Sequence, residues 1–468
     1  MLFNSLSFLI FLPIFLCAYW LLPTQKLRVC LIVLGSLFFY AYSQPSLCIL
    51  LLITALINYI GGILIGGMSS ICKKKWTLAI AISLDVLILC YFKYFNFFIT
   101  TINSFAPGHQ LSTLDIILPL GISFYLFKGI SYLVDVYRVK IVPERNVIDF
   151  IAYYSFFPQI IAGPIDRACY FLPQIKKKKD FDGNFISSGA KLMLWGFFLK
   201  VVFANRASIY VDAVYNNLGH HNGTTILLAA ILYSIQIYCD FAGYSLISIG
   251  CAKAMGIDVR DNFNRPYFAH SITEFWGRWH ISLTSWLKEY IYIPLGGSHD
   301  TKFRTYLNIL VVFLISGLWH GAAWTFVFWG VINGVFQVIE RMAGVARKQS
   351  THLIVRVLQI MFTFLITTLA WMFFRLPSIE AAFYALQKIF TTFGSPFVSG
   401  DATTAMEFCL ISIVIIFIKQ FFDEYYPEKV KLFNNPHVWI RYASYIALTI
   451  FILLAGVFDD SQFIYAQF

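Results

Sequence analysis

Long apolar runs alternate with short polar breaks along the chain. Read as helices, the runs fall at about 5–22, 28–43, 46–66, 76–100, 113–136, 186–204, 224–252, 305–319, 323–341, 353–376, 405–422 and 440–458. Most approach the ~20 residues that a helix needs to cross the hydrocarbon of a bilayer; the run at 305–319 is short. A further apolar stretch, "VIDFIAYYSFFPQIIAGPI" at 147–165, is interrupted by Pro158, Gly163 and Pro164. Broken backbone at membrane depth is tolerated only against protein or a water-filled cavity, so this stretch is expected to be re-entrant or interfacial. A transmembrane β-barrel would show short alternating segments instead of unbroken runs.

Composition sharpens this. Of 468 residues, 59% are hydrophobic, 18% aromatic and only 13% charged, with a mean hydropathy of +0.71. Soluble domains are about 25% charged. The surplus apolar surface must face lipid. The expected class is an all-α polytopic membrane protein, one membrane domain over 1–468, with about 11–12 transmembrane helices plus re-entrant and interfacial ones. No internal repeat is visible, so an inverted-repeat transporter gains no support.

The formal net charge is +11. The cations fall mostly in the breaks, so membrane topology accounts for them and no nucleic-acid partner is expected. Lys26 and Arg28, then Lys73 to Lys75, then Arg138, Lys140 and Arg145 follow the first, third and fifth runs. The connections at 43–46 and 101–112 carry no Lys or Arg. That alternation puts the N-terminus outside and the basic loops, including Lys176 to Lys179 and 253–304, in the cytoplasm. The terminal "FDDSQ" then lies outside if both last runs cross. The opening "MLFNSLSFLIFLPIFLCAYWLLP" has no basic start and no small-residue cleavage site, and reads as a retained first span. The nine cysteines show no CxxC spacing, so neither a zinc site nor a disulfide framework is expected.

Three places carry candidate chemistry. In "FNRPYFAHSITEFWGRWHISLTSWLKEYIYIPLGGS" (263–298), Phe275, Trp279, Leu283, Trp286, Leu287 and Tyr290 recur at helical spacing. Ser271 with Glu274 fits a capping box, and Pro294 with Gly296–Gly297 ends the element. The pattern predicts a cytoplasmic interfacial helix at about 271–293 lying on membrane lipid, with His280, Arg278 and Lys288 on or near it. A surface helix without chemistry fits the same pattern. In "SGLWHGAAWTFVFWG" (316–330), His320 stands beside Trp319 in wholly apolar surroundings. Ionisable groups inside spans usually face the protein interior and mark function. A desolvated imidazole favours its neutral form, which can accept a proton. A structural histidine bonded to a carbonyl is the alternative. In "QIYCDFAGYSLISIG" (236–250), Asp240 lies inside a span; Tyr244, one turn on, is its candidate partner, and a polar lock between helices is as good a reading as catalysis. No GxSxG, Walker or HExxH motif is present.

The string "EFWGRWHISLTSWLKEYIYIPLGG" followed by "SGLWHGAAWTFVFWG" resembles the signature of the membrane-bound O-acyltransferases, in the bacterial branch typified by the membrane subunit of alginate O-acetylation. "LPLGISFYLFKGISYLVDVYR", "FFPQIIAGPIDR", "YCDFAGYSLISIG", "FNRPY" and "LAWMFFR" extend the likeness over nearly the whole chain. The resemblance implies a helical fold around a transmembrane tunnel, His320 as the catalytic residue and His280 as a second essential polar position. Gly277 stands where the branch often has a first Arg (FWRRWH), while Arg278 is retained.

It further implies acetyl transfer from a cytoplasmic thioester, acetyl-coenzyme A, for O-acetylation of an extracytoplasmic polysaccharide or peptidoglycan. No bound cofactor is expected. A partner of the SGNH-hydrolase-like type outside the membrane would complete transfer to the glycan. Arg278, Lys288, Trp319, Asp240 and Tyr244 are candidate donor or substrate contacts. The sister reading is D-alanylation of teichoic acid from a carrier-protein thioester. A proton-coupled transporter using His320 and Asp240 is the reading of a different class.

Overall fold

The computed structural model describes residues 1–106, 110–345, 352–398, 401–429, 431, 433–458 and 464. The regular elements among them are all helical, which satisfies every backbone donor and acceptor within its own segment, as hydrocarbon demands. Contacts divide the chain into two compact units, chiefly Met1–Ala190 with Ser248–Arg260, and Lys191–Ile247 with Asp261–Gln467.

The first unit opens with α1 (Leu6–Leu21), α2 (Gln25–Ala41) and α3 (Cys48–Gly67). Next, α4 (Ile71–Leu89) runs through a π turn (Cys90–Tyr94) into α5 (Phe95–Phe105) as one helix of 35 residues. The side chains of Ser5, Thr24 and Ser70 cap α1, α2 and α4 by accepting a first-turn N–H. The expected span at 113–136 is helical only as α6 (Ile122–Tyr137). The preceding residues stay extended because α5 supplies their hydrogen bonds: Asn96 and Asn103 each donate to and accept from the backbone, of Leu114 and Leu111 respectively. At Gly121 (φ 71°) a Cβ would stand 2.0 Å from the Ile160 carbonyl oxygen, so only glycine fits this corner. The stretch 147–165 forms α7 (Val147–Ser155), a bend at Phe156 and the single turn α8 (Phe157–Ile160), nearly all of it buried in protein. After it comes α9 (Ala168–Lys176).

In chain order there follow α10 (Gly183–Phe197), a π turn (Phe198–Ala204) and α11 (Asn205–Tyr215), continuous over 33 residues, then α12 (Gly223–Ala254). The second unit continues with α13 (Ile272–Arg278), α14 (Ile281–Leu287), a π turn (Lys288–Tyr292), α15 (Lys302–His320), α16 (Trp324–Met342), α17 (Leu353–Arg375), α18 (Ile379–Thr391), α19 (Asp401–Tyr425) and α20 (Val438–Ala455). Helix α18 goes unread in the hydropathy pattern because it is only 13 residues long and amphipathic, burying Ala382, Ala385 and Ile389.

Among the described residues eight helices are long and apolar enough to cross a membrane. The other four of the twelve runs fall short of that measure. Helices α1, α2 and α6 have 16, 17 and 16 residues, and α16 ends on the polar Gln337, Glu340 and Arg341. Most of "FDDSQ" lies outside the described residues.

Glycine sets how closely α15 and α16 pack. A Cβ at Gly317 would lie 2.3 Å from the Phe326 carbonyl oxygen, and one at Gly330 would lie 2.4 Å from that of Phe313. Close approach through small residues is a general route to helix association in lipid. Here it fixes the end of α15, which carries His320.

Candidate active site

His320 is the last residue of α15 and is 3% exposed. Its ring meets Trp319 at 4.9 Å, Trp329 at 5.1 Å and Phe374 at 5.3 Å between centroids, all edge-on. Indole and phenyl rings therefore wall the imidazole and exclude bulk water from it.

His280 does not sit on a continuous interfacial helix, as the sequence pattern predicts. The helix breaks at Trp279, which is extended, and His280, which is left-handed at φ 43° and starts α14. Histidine tolerates that region better than most residues, and such outliers cluster at functional sites. The break is held on both sides: Asn264 N–H donates to the Arg278 carbonyl and Ile281 N–H to the Asn262 carbonyl, each at 2.9 Å. The apolar spacing was real, since Phe275, Trp279, Leu283, Trp286 and Leu287 are buried, but they pack against protein and not on a lipid surface. The capping contact of Ser271 with Glu274 is present. Ser271 Oγ accepts the Glu274 N–H at 3.1 Å, while the Glu274 carboxylate takes the His270 N–H at 3.0 Å. Glu340 of α16 completes the cap by accepting the N–H groups of Ile272 and Thr273, at 2.5 and 2.9 Å.

His280 itself is fully enclosed. Its Nδ1 lies 3.3 Å from Asn262 Oδ1, an oxygen that also accepts the Ser282 hydroxyl at 2.6 Å. Facing an acceptor, Nδ1 carries the proton of the neutral ring, and Nε2 is the acceptor nitrogen. Burial lowers the His280 pKa to about 3, because a charged ring cannot be solvated there. Phe241 of α12 packs edge-on at 4.6 Å and Trp319 at 5.8 Å. Trp319 thus touches both histidines, which the sequence separates by forty positions.

Arg278 is held in an ion-pair network. Its guanidinium bridges Glu274 at 2.7 Å and Glu424 of α19 at 2.9 Å. Arg265 joins the same Glu424 carboxylate. Lys288 is exposed and lines a cavity of about 720 Å³, together with Arg341. Part of the wall is apolar, from Leu283, Leu287, Val312 and Phe313, and part polar, from Thr273, Thr284, Ser298 and Gln337. Trp276 and Ser316 line it too. Ser316 lies one turn before His320 on the same helix face. Trp276 lies 5.5 Å from Trp329, the ring that meets His320.

Asp240 finds a different partner from the one expected. It pairs with Lys200 of the π turn after α10, both side chains buried, and its second oxygen accepts the Ile464 N–H at 2.9 Å. Tyr244 is buried one turn on. Lys200 was legible as a cation deep in the run 186–204, whose other lysine, Lys191, lies nearer its start. Neighbouring bonds draw the chain after α20 to the same place: Val457 N–H donates to the Val201 carbonyl at 2.8 Å, and Asn205 donates to the Val457 carbonyl at 2.8 Å. The polar-lock reading of Asp240 is the one this geometry favours.

Two imidazoles, His280 and His320, thus flank one indole in an aromatic pocket, and that pocket adjoins a cavity with cations in its lining. The sequence matches the MBOAT, membrane-bound O-acyltransferase family over residues 3–382. The chain belongs to this family. It is a multi-pass membrane O-acyltransferase, which sets the transporter reading aside. It is 36% identical to the probable alginate O-acetylase AlgI of Azotobacter vinelandii over 84% of this chain and 78% of that one. It is 33% identical to the peptidoglycan O-acetyltransferase of Helicobacter pylori over 83% and 79%. The likeness to the teichoic acid D-alanyltransferase of Bacillus subtilis is 29% over 49% and 59%.

Proposed function

We propose that the protein transfers acetyl groups from a thioester donor on the cytoplasmic side, acetyl-coenzyme A, for O-acetylation of a polysaccharide or peptidoglycan outside a bacterial cytoplasmic membrane. The observation that carries this reading is the cavity with Lys288 and Arg341 in its lining, whose wall at Trp276 is one ring removed from His320. A partly apolar passage with cations suits a slender thioester arm ending in phosphates, because arginine and lysine attract phosphate oxygens. His320 takes the proton of the attacking hydroxyl as its oxygen bonds to the thioester carbonyl carbon. The C–S bond then breaks, and the departing sulfur receives the proton. Neutral His280 holds Trp319 against His320, and the aromatic wall suppresses hydrolysis of the donor. Acceptor and SGNH-like partner would act on the outer side. Likeness to O-acetylating relatives over more than four-fifths of the chain, against about half for a D-alanyltransferase, supports acetyl over D-alanyl.

The test is label transfer by purified protein in neutral detergent with acetyl-labelled acetyl-coenzyme A. Wild type releases free thiol and passes label to a hydroxyl acceptor. His320→Ala is expected to lose about 10²–10⁴-fold, the usual worth of a general base. Lys288→Gln should raise the donor KM, less so as ionic strength rises and screening shortens to ~8 Å or below. His320→Ala retaining more than about a tenth of the rate would end the general-base assignment. Turnover with a D-alanyl carrier thioester and none with acetyl-coenzyme A would favour the sister reading.

A further inference from the structure

The first unit holds a buried polar cluster that the chemistry above does not use. Asp85, about three-quarters of the way along α4, is fully enclosed. Its Oδ1 accepts from Asn58 Nδ2 of α3 at 3.1 Å, and the same Nδ2 donates to the Thr54 carbonyl at 2.9 Å. Among the described residues, Asp85 Oδ2 and Asn58 Oδ1 have no hydrogen-bond partner. Tyr125 of α6 and Tyr154 of α7, fully buried with ring centroids 5.8 Å apart, lie within electrostatic reach of this carboxylate. No well-aligned hydrogen bond reaches their hydroxyls among the described residues, although Tyr40 of α2 stands beside Tyr125 and Thr54 of α3 beside Tyr154. Nor is the amide able to swing away. Gly129 of α6 is pressed so close that a Cβ there would stand 2.5 Å from Asn58 Oδ1.

Buried polar atoms are hydrogen-bonded with few exceptions, so several orphans in one place call for an occupant. Charge narrows the choice. Among the described residues no lysine, arginine or histidine faces Asp85, and an isolated buried carboxylate must be neutralised. A proton on Asp85 would cancel the charge, with the phenol hydroxyls as further donors, whereas a cation would engage the carboxylate, the amide oxygen and the phenol oxygens at one point. The donor set is a carboxylate, an amide carbonyl and phenols, all oxygen, which suits a hard cation and not a soft transition metal. One carboxylate balances one positive charge, and a divalent ion would leave a net charge in the membrane. We propose that Asp85, Asn58, Tyr125 and Tyr154 bind a sodium ion. The ion ties α3, α4, α6 and α7 together and so braces the broken segment after α7.

Thermal unfolding of the full chain in neutral detergent tests this at fixed pH and ionic strength, exchanging sodium chloride for N-methylglucamine chloride. Sodium should raise Tm by a few degrees in a saturable way, because a ligand that binds only the folded state stabilises it by mass action. Asp85→Asn and, should that variant fail to fold, Tyr154→Phe should lose the sodium-dependent rise while keeping acyl transfer. No sodium-specific rise in wild type, or an equal rise in the variants, would overturn the site. A Tm that climbs only as pH falls, with sodium adding nothing, would overturn it in favour of a proton on Asp85.

Discussion

A histidine held neutral by burial leaves a mark on stability as well as on chemistry. His280 has its pKa lowered from 6.5 to about 3 by desolvation. Between those values the unfolded chain binds a proton at this position and the folded chain does not. Acid therefore favours unfolding, and the stability present above pH 6.5 is lost progressively as pH falls toward the folded value. His280→Asn keeps a polar side chain suited to the left-handed backbone at φ 43° but has nothing to titrate. Unfolding midpoints of wild type and His280→Asn, measured from pH 7.5 to 4 in detergent, should converge as pH falls, with the wild type losing more. Parallel curves would mean that His280 is not held neutral. His320 was readable as special from its surroundings alone. His280 was not, because a single apolar stripe gives burial of a face but says nothing of whether lipid or protein covers it.

Helices are where the sequence spoke most clearly, and the places where it misled have physical causes. Unbroken apolar runs fix the long spans because hydrocarbon permits no other backbone arrangement. The stretch before α6 is as apolar as a span, yet two asparagines on α5 feed its backbone and leave it extended. The helix expected at 271–293 breaks because Asn262, eighteen positions earlier, seizes the backbone and side chain at His280. No local pattern announces such long-range bonds. The α15–α16 pair is a third case: "SGLWHG" and "FWG" contain the glycines, but only the packing shows that they oppose backbone carbonyls. Because those carbonyls cannot yield, Gly317→Ala must push α16 away and shift His320 within its aromatic ring. Label transfer should fall at least tenfold, since about 1.4 kcal/mol of lost positioning suffices for that, and Tm should drop. Gly219→Ala, which meets nothing within 4 Å, is the control that should leave both unchanged. Full activity in Gly317→Ala would show that the close packing does not position His320.

At the scale of the whole molecule, orientation in the membrane is testable on one helix of the first unit. The continuous helix through α4 and α5 carries Lys73 to Lys75 in its first turn and Ser104 near its end. At 1.5 Å per residue the two lie roughly 45 Å apart, beyond the ~30 Å hydrocarbon core. The ends must then emerge on opposite faces. Lysines avoid translocation, so the start of α4 is expected in the cytoplasm and Ser104 outside. Native Cys72, exposed beside those lysines, is a ready reporter. In chains carrying one cysteine each, an impermeant maleimide added to intact cells should label Ser104→Cys and spare Cys72 until the cells are opened. The consequence for function runs through Ser298, which is exposed and lines the cavity with Lys288. If coenzyme A enters there, Ser298→Cys should be labelled only from the cytoplasmic side, and excess coenzyme A should slow the labelling. Labelling of Ser298→Cys from outside intact cells would leave the donor facing the wrong compartment, and the cavity would have to be reassigned to the acceptor.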